Sequence, residues 1–153
     1  MPAKTKSARR GAVRATALDG AALELPAALG DGALLLLAFS PGHKRDAKAW
    51  AEAVIDELGP DVPWLALAVL PKKARLGSKV LLAGVRRALG DPALHARVGV
   101  LFDDAAATAR TLGVDGTEQV CVLWADADGV VTWCASGPPT AAALAELRAA
   151  AGR

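Results

Sequence analysis

Ala33-Leu34-Leu35-Leu36-Leu37-Ala38-Phe39, followed by Ser40-Pro41-Gly42-His43-Lys44-Arg45-Asp46, is the stretch on which the fold turns. The apolar run is bounded by Gly32 and Pro41. It is too short to cross a bilayer, which takes ~20 residues, and its length and punctuation suit a central strand covered on both faces. After the break, the apolar period changes. Ala47, Trp50, Val54 and Leu58 recur at helical spacing, widened by Ala51 and Ile55, while Lys44, Lys48, Glu52 and Asp56 take the other face. The spacing predicts a helix over 43–58, stopped by Gly59-Pro60.

The same alternation continues outward. Trp64 to Leu70 reads as a second strand closed by Pro71, and Ser78 to Gly90 as a helix with Ser78 as its N-cap and Asp91-Pro92 as its stop. Val98 to Phe102 is a further strand, and Asp103 or Asp104 caps a helix reaching Leu112-Gly113. Gln119 to Trp124 and Val130 to Ala135 form a hairpin through Asp126-Ala127-Asp128-Gly129, and Gly137-Pro138-Pro139-Thr140 opens a last helix with Leu144 and Leu147 inward. Upstream, two short strand-like pieces flank Asp19-Gly20, a favoured hairpin turn. Strands alternating with helices imply an α/β domain over 15–153: a three-layer α/β/α sandwich with a mixed, mostly parallel sheet, finished by a β-hairpin and a helix. There is no internal repeat.

At 153 residues, 53% of them hydrophobic, the chain suits one folded domain rather than a disordered one. The net charge of +2 gives no strong overall field, but it is unevenly placed. Lys4, Lys6, Arg9, Arg10 and Arg14 all precede the first acid, Asp19. Residues 1–14 therefore read as a flexible basic tail, with a transit segment as the alternative. The start lacks the apolar stretch of a secretory signal, and two cysteines without such a signal fit a reducing cytoplasm.

The order of elements, with Leu112-Gly113-Val114, Asp126-x-x-Gly129 and Gly137 before the terminal helix, resembles the thioredoxin and peroxiredoxin superfamily over roughly residues 15–150. Phe39-Ser40-Pro41 looks like the strand end that precedes the peroxidatic cysteine of peroxiredoxins. Yet no cysteine lies between Ser40 and Trp50, so neither a Cys-x-x-Cys pair nor a peroxidatic thiol is present. The proline that the superfamily carries before its fourth strand is also replaced, by Glu118-Gln119 after Thr117.

A narrower resemblance rests on several pieces between 34 and 148. They are Leu37-Ala38-Phe39-Ser40 with Trp50, Val69-Leu70 before Val85-Arg86-Arg87, His95 before Phe102-Asp103-Asp104, and Val122-Leu123-x-x-Asp126-x-x-Gly129-x-x-x-Trp133 with Gly137. Together these look like the redoxin-fold assembly factors of the mitochondrial ATP synthase and their bacterial relatives, although Thr132 stands where that family has an arginine before the tryptophan. The resemblance implies a non-catalytic protein that binds another protein, such as a membrane-complex subunit, at the inner membrane. The recognition surface it implies comprises His43, Lys44, Arg45 and Glu118, with Arg86 and Arg87 on the basic helix.

The residue chemistry offers one alternative: a thiol oxidoreductase or peroxiredoxin-like antioxidant using Cys121 or Cys134. Both cysteines sit among strand hydrophobes, where a thiol acts as a small core residue rather than an activated nucleophile. An odd register sum between their strands would put them on one face of the sheet, and an even sum on opposite faces. His43, at a helix start, reads on its own as a solvated loop residue, and His95 similarly. Two histidines and two distant cysteines make no zinc spacing, no glycine pattern suits a nucleotide, and no cofactor is expected. Lys72, Lys73, Arg75 and Lys79, with Arg86, Arg87 and the tail, suit an anionic membrane or acidic protein surface; no motif indicates specific nucleic-acid binding. Trp50, Trp64 and Trp133 fall on core positions; Trp124, just before the hairpin turn, is the best candidate for a partly exposed aromatic, with core packing the safer assumption for each.

Overall fold

The computed structural model describes residues 13–25, 27–114, 116–128 and 130–152. The basic segment ahead of Val13, and Gly129 of the expected turn, lie outside them. Strand β1 (Val13–Ala17) claims Val13 and Arg14 for the domain, where Arg14 forms an ion pair with Glu24 on β2 (Ala22–Leu25). The turn between them is held by the Asp19 carboxylate accepting from Ala21 N, with Gly20 at φ 92°.

The apolar run forms β3 (Gly32–Ala38), the centre of the sheet, whose leucines 34–37 are each at most 2% exposed. Each such side chain stabilises the fold by about 1.5–3 kcal/mol. Leu35 and Leu37 face one layer, and Leu34 and Leu36 the other. Helix α1 (Lys44–Leu58) follows β3 and buries Trp50, Val54 and Leu58. Strand β4 (Trp64–Leu70), a 3-10 turn (Lys72–Gly77), helix α2 (Ser78–Leu89) and a one-turn helix α3 (Pro92–His95) lead to β5 (Val98–Phe102). Helix α4 (Ala105–Leu112), the hairpin β6 (Cys121–Asp126) and β7 (Val131–Ser136), and α5 (Ala141–Ala151) complete the chain.

The sheet order is β2-β1-β5-β4-β3-β6-β7. One face carries α1 and α5 with Leu94 of α3; the other is covered by α4, by the segment around Leu29 and by Leu23 and Leu25. The three layers are thus as expected, and the sheet is mixed. Its parallel part is narrower than expected, because only β3–β4 and β4–β5 pair in parallel. The β1–β2 hairpin adds antiparallel to β5, and β6–β7 adds antiparallel to β3.

Two local expectations are corrected. Ser78 is the first residue of α2, not its cap, which is Gly77 without a side-chain bond. Asp91-Pro92 starts α3 rather than simply ending α2: the Asp91 carboxylate accepts from Ala93 N at 3.0 Å. Trp124, beside the turn, takes the core reading: it is 8% exposed, because its strand neighbours Leu34 and Trp133 pair beside it and hold the ring in the core.

Candidate functional site

The end of β3 hands over to α1 through Phe39, Ser40 and a single 3-10 turn, Pro41–His43. His43 N bonds to Ser40 O at 3.0 Å, which closes that turn and swings the imidazole back over the strand end. Its Nδ1 accepts from Phe39 N at 3.0 Å, and its Nε2 lies 3.0 Å from Glu118 O. An acceptor role at Nδ1 places the ring proton on Nε2, which donates to the Glu118 carbonyl. The ring also meets Phe39 edge-on at 6.3 Å. His43 is therefore buried, at 9% exposure, where a solvated loop residue was expected. The reason is topological: the loop before β6 passes over the start of α1, and the imidazole spans the gap between two main chains. Nothing in the local sequence signals this, since both partners are backbone groups, one of them 75 residues away.

Lys44 and Arg45 in the first turn of α1, and Glu118 in the facing loop, are exposed around this tie. Arg86 and Arg87 are not brought to it. Arg86 Nη1 donates to Leu18 O at 2.9 Å, and Leu18 N bonds to Val98 O at the start of β5. His43 follows the end of β3, which runs parallel to β4 and β5, so the arginines sit at the opposite end of the sheet. His95 lies against the same helix, with Nε2 3.3 Å from Arg86 O.

Behind the tie, three residues of the narrower resemblance converge. Trp50 is fully buried and donates through Nε1 to Gly137 O at 2.7 Å, and its ring meets Trp133 edge-on at 5.9 Å. Trp133 Nε1 is 3.4 Å from Glu146 Oε2 on α5. Gly137 has φ 83°, a backbone conformation that calls for glycine, and its N bonds to Val120 O at 3.0 Å. These contacts join α1, β7 and the 116–120 loop into one rigid corner.

The cysteines lie elsewhere. Cys121 faces Ser136 and Leu123 faces Cys134, an odd register sum, so both thiols are on the same side of the sheet. That side is the layer away from Trp50. Cys121 is 5% exposed and its thiol donates to Gly116 O and Gln119 O, each at 3.6 Å. Cys134 is half-buried on the edge strand. As diagonal neighbours their backbones stand about 7–8 Å apart, beyond the usual ~4.4–6.8 Å of a disulfide. Among the described residues, no group of three or more His, Cys, Asp or Glu could hold a metal ion, and no helix is long and apolar enough to cross a membrane.

This architecture recurs in solved structures. The exposed lipoprotein thioredoxin Etrx1 of Streptococcus pneumoniae matches with TM-score 0.58 and 17% identity over 94% of this chain and 100% of its own. Peroxidoxin BcpB of Mycobacterium tuberculosis matches at 0.57 and 20%, over 95% of this chain and 97% of its own. BsSco, of the Sco family of cytochrome c oxidase assembly proteins, matches at 0.61 and 11%, over 99% and 96%. The chain has a thioredoxin-like fold. No family model matches the sequence, and no curated protein matches it either. Within the thioredoxin-like fold, the start of α1 is where the first resemblance looks for a reactive thiol, and there this chain places the buried, doubly bonded His43.

Proposed function

We propose that this protein works by binding another protein, not by thiol chemistry, and that it serves as an assembly factor for a membrane complex such as ATP synthase. The recognition surface is the α1 end of the sheet: Lys44, Arg45 and Glu118, exposed around the His43 tie. One observation carries the reading. The position that would need a mobile, accessible nucleophile holds an imidazole fixed by main-chain bonds on both nitrogens, and residues 39–50 contain no sulfur. That corner offers a stable shape with charged side chains on its rim, which suits docking. A similar solved structure belongs to a family of cytochrome c oxidase assembly proteins, so the fold is used for assembly in that case.

Affinity capture from a lysate with the membrane subunit of the ATP synthase proton channel tests the reading. The wild-type chain enriches on that subunit, and the double variant Lys44→Glu, Arg45→Glu does not. Absence of wild-type enrichment overturns it.

A second reading, a thiol oxidoreductase using Cys121 or Cys134, draws on one observation: the two thiols share a face on adjacent strands. It requires that the protein reduce insulin disulfides or peroxide, and that Cys121→Ser or Cys134→Ser abolish the turnover.

A further inference from the structure

Between residues 72 and 90 the chain carries six cations and no acid: Lys72, Lys73, Arg75, Lys79, Arg86 and Arg87. Three of them fasten the segment to the domain. Lys72 pairs with Asp103 at 3.8 Å, the Arg75 guanidinium lies over the Phe102 ring at 5.7 Å, and Arg86 donates to Leu18 O. Lys73, Lys79 and Arg87 are exposed and make no hydrogen bond or ion pair with a described residue.

The same outward side is apolar between those charges. Leu76 is 97% exposed and Val80 is 81% exposed, and they are the exposed large hydrophobics of the described residues. Ala83 and Gly84 continue the stripe one turn further on, both exposed, and a Cβ at Gly84 would meet nothing. Leu82 and Val85 are half-buried on the inward side. Apolar residues on the side that faces water add nothing to the burial of a helix whose half-buried residues, Leu82 and Val85, lie elsewhere on it. Solvated, they only cost.

We propose that this face of the 3-10 turn and α2 docks on an anionic lipid bilayer, with Lys73, Lys79 and Arg87 at the headgroup phosphates and carboxylates and Leu76 and Val80 set into the acyl boundary. Charge complementarity selects this occupant: a run of cations without an acid, around a shallow apolar stripe, is the pattern of a segment lying in the plane of an interface. The inference does not depend on the protein partner proposed above, which occupies the α1 end of the sheet.

Co-sedimentation of the full chain with vesicles tests it. The protein binds vesicles containing phosphatidylserine and not pure phosphatidylcholine, and added salt releases it, because such attraction is screened within about 10 Å at 0.1 M. Each cation at an anionic surface is worth about a fivefold change in partition. The triple variant Lys73→Gln, Lys79→Gln, Arg87→Gln therefore binds on the order of a hundredfold less. The pair Leu76→Ser, Val80→Ser weakens binding several-fold with an unchanged melting temperature, since neither side chain is part of the core. The proposal falls if phosphatidylserine gives no advantage, or if the triple variant binds like wild type. It also falls if neutralising Lys4, Lys6, Arg9 and Arg10 alone removes binding, or if the protein is retained by polyglutamate but not by vesicles.

Discussion

His43 holds two loops with one ring, and the cost of losing it follows from what it leaves behind. In His43→Ala the Phe39 N–H, buried in the strand end, has no acceptor, and the Glu118 carbonyl loses its donor. A buried group left unsatisfied costs about 1–3 kcal/mol, so urea unfolding of this variant should show a loss of that size. Trp50→Phe keeps most of the packing but removes the donor to Gly137 O and opens a small void; a loss of about 2 kcal/mol is expected by the same measurement. Thr132 works in the opposite direction. Its buried Oγ1 bonds no described residue, at the position where the narrower resemblance has an arginine. Thr132→Val exchanges an unmet hydroxyl for a methyl on a strand, and the variant should be as stable as wild type or more stable, by up to ~1 kcal/mol. Of these residues, the sequence marked Trp50 as core and singled out Gly137, because helical period and a glycine before prolines are local signals. It could not show that the indole and the Gly137 carbonyl meet, nor that His43 is sealed, because a side chain bonded to distant backbone leaves no trace in composition or spacing.

At the scale of elements, strands and helices were legible wherever an apolar run met a clear stop. Trp64–Leu70 and Val98–Phe102 fall where the pattern placed them. What the pattern lacked was pairing, since an edge hairpin carries no label for the strand it joins. The β1–β2 hairpin settles against β5, where Ala17 lies opposite Gly99. There a Cβ at residue 99 would come within 2.8 Å of Leu23 Cδ1, 3.1 Å of Leu67 Cδ2 and 3.3 Å of Thr16 O. The two leucine methyls can yield, but the Thr16 carbonyl is ladder backbone. Gly99→Val should therefore loosen β1 from the sheet and destabilise by roughly 1–3 kcal/mol through overpacking, read as faster amide exchange confined to β1 and β2. Helix α5 depends on its cap: Thr140 Oγ1 accepts from Ala143 N at 3.1 Å, and Thr140→Ala should lower stability by about 1 kcal/mol in thermal unfolding.

Across the whole molecule, the two layers flanking the sheet divide the chemistry. One holds Trp50, Trp124 and Trp133; the other holds Cys121, with Cys134 packed against it. Brief alkylation of the folded protein with iodoacetamide, read by peptide mass spectrometry, should label Cys134 before Cys121, and both equally in denaturant. The α1 corner raises a separate matter of timing. Trp50 and its acceptor are 87 residues apart in the chain, and β3 is flanked on one side by β6. At about 5–20 residues per second of translation, roughly 4–17 s separate the emergence of the indole from that of the carbonyl it needs. During that interval the nascent polypeptide leaves the ribosome with its central strand open along one side, and an unpaired apolar edge of that kind invites aggregation until β6 has been made.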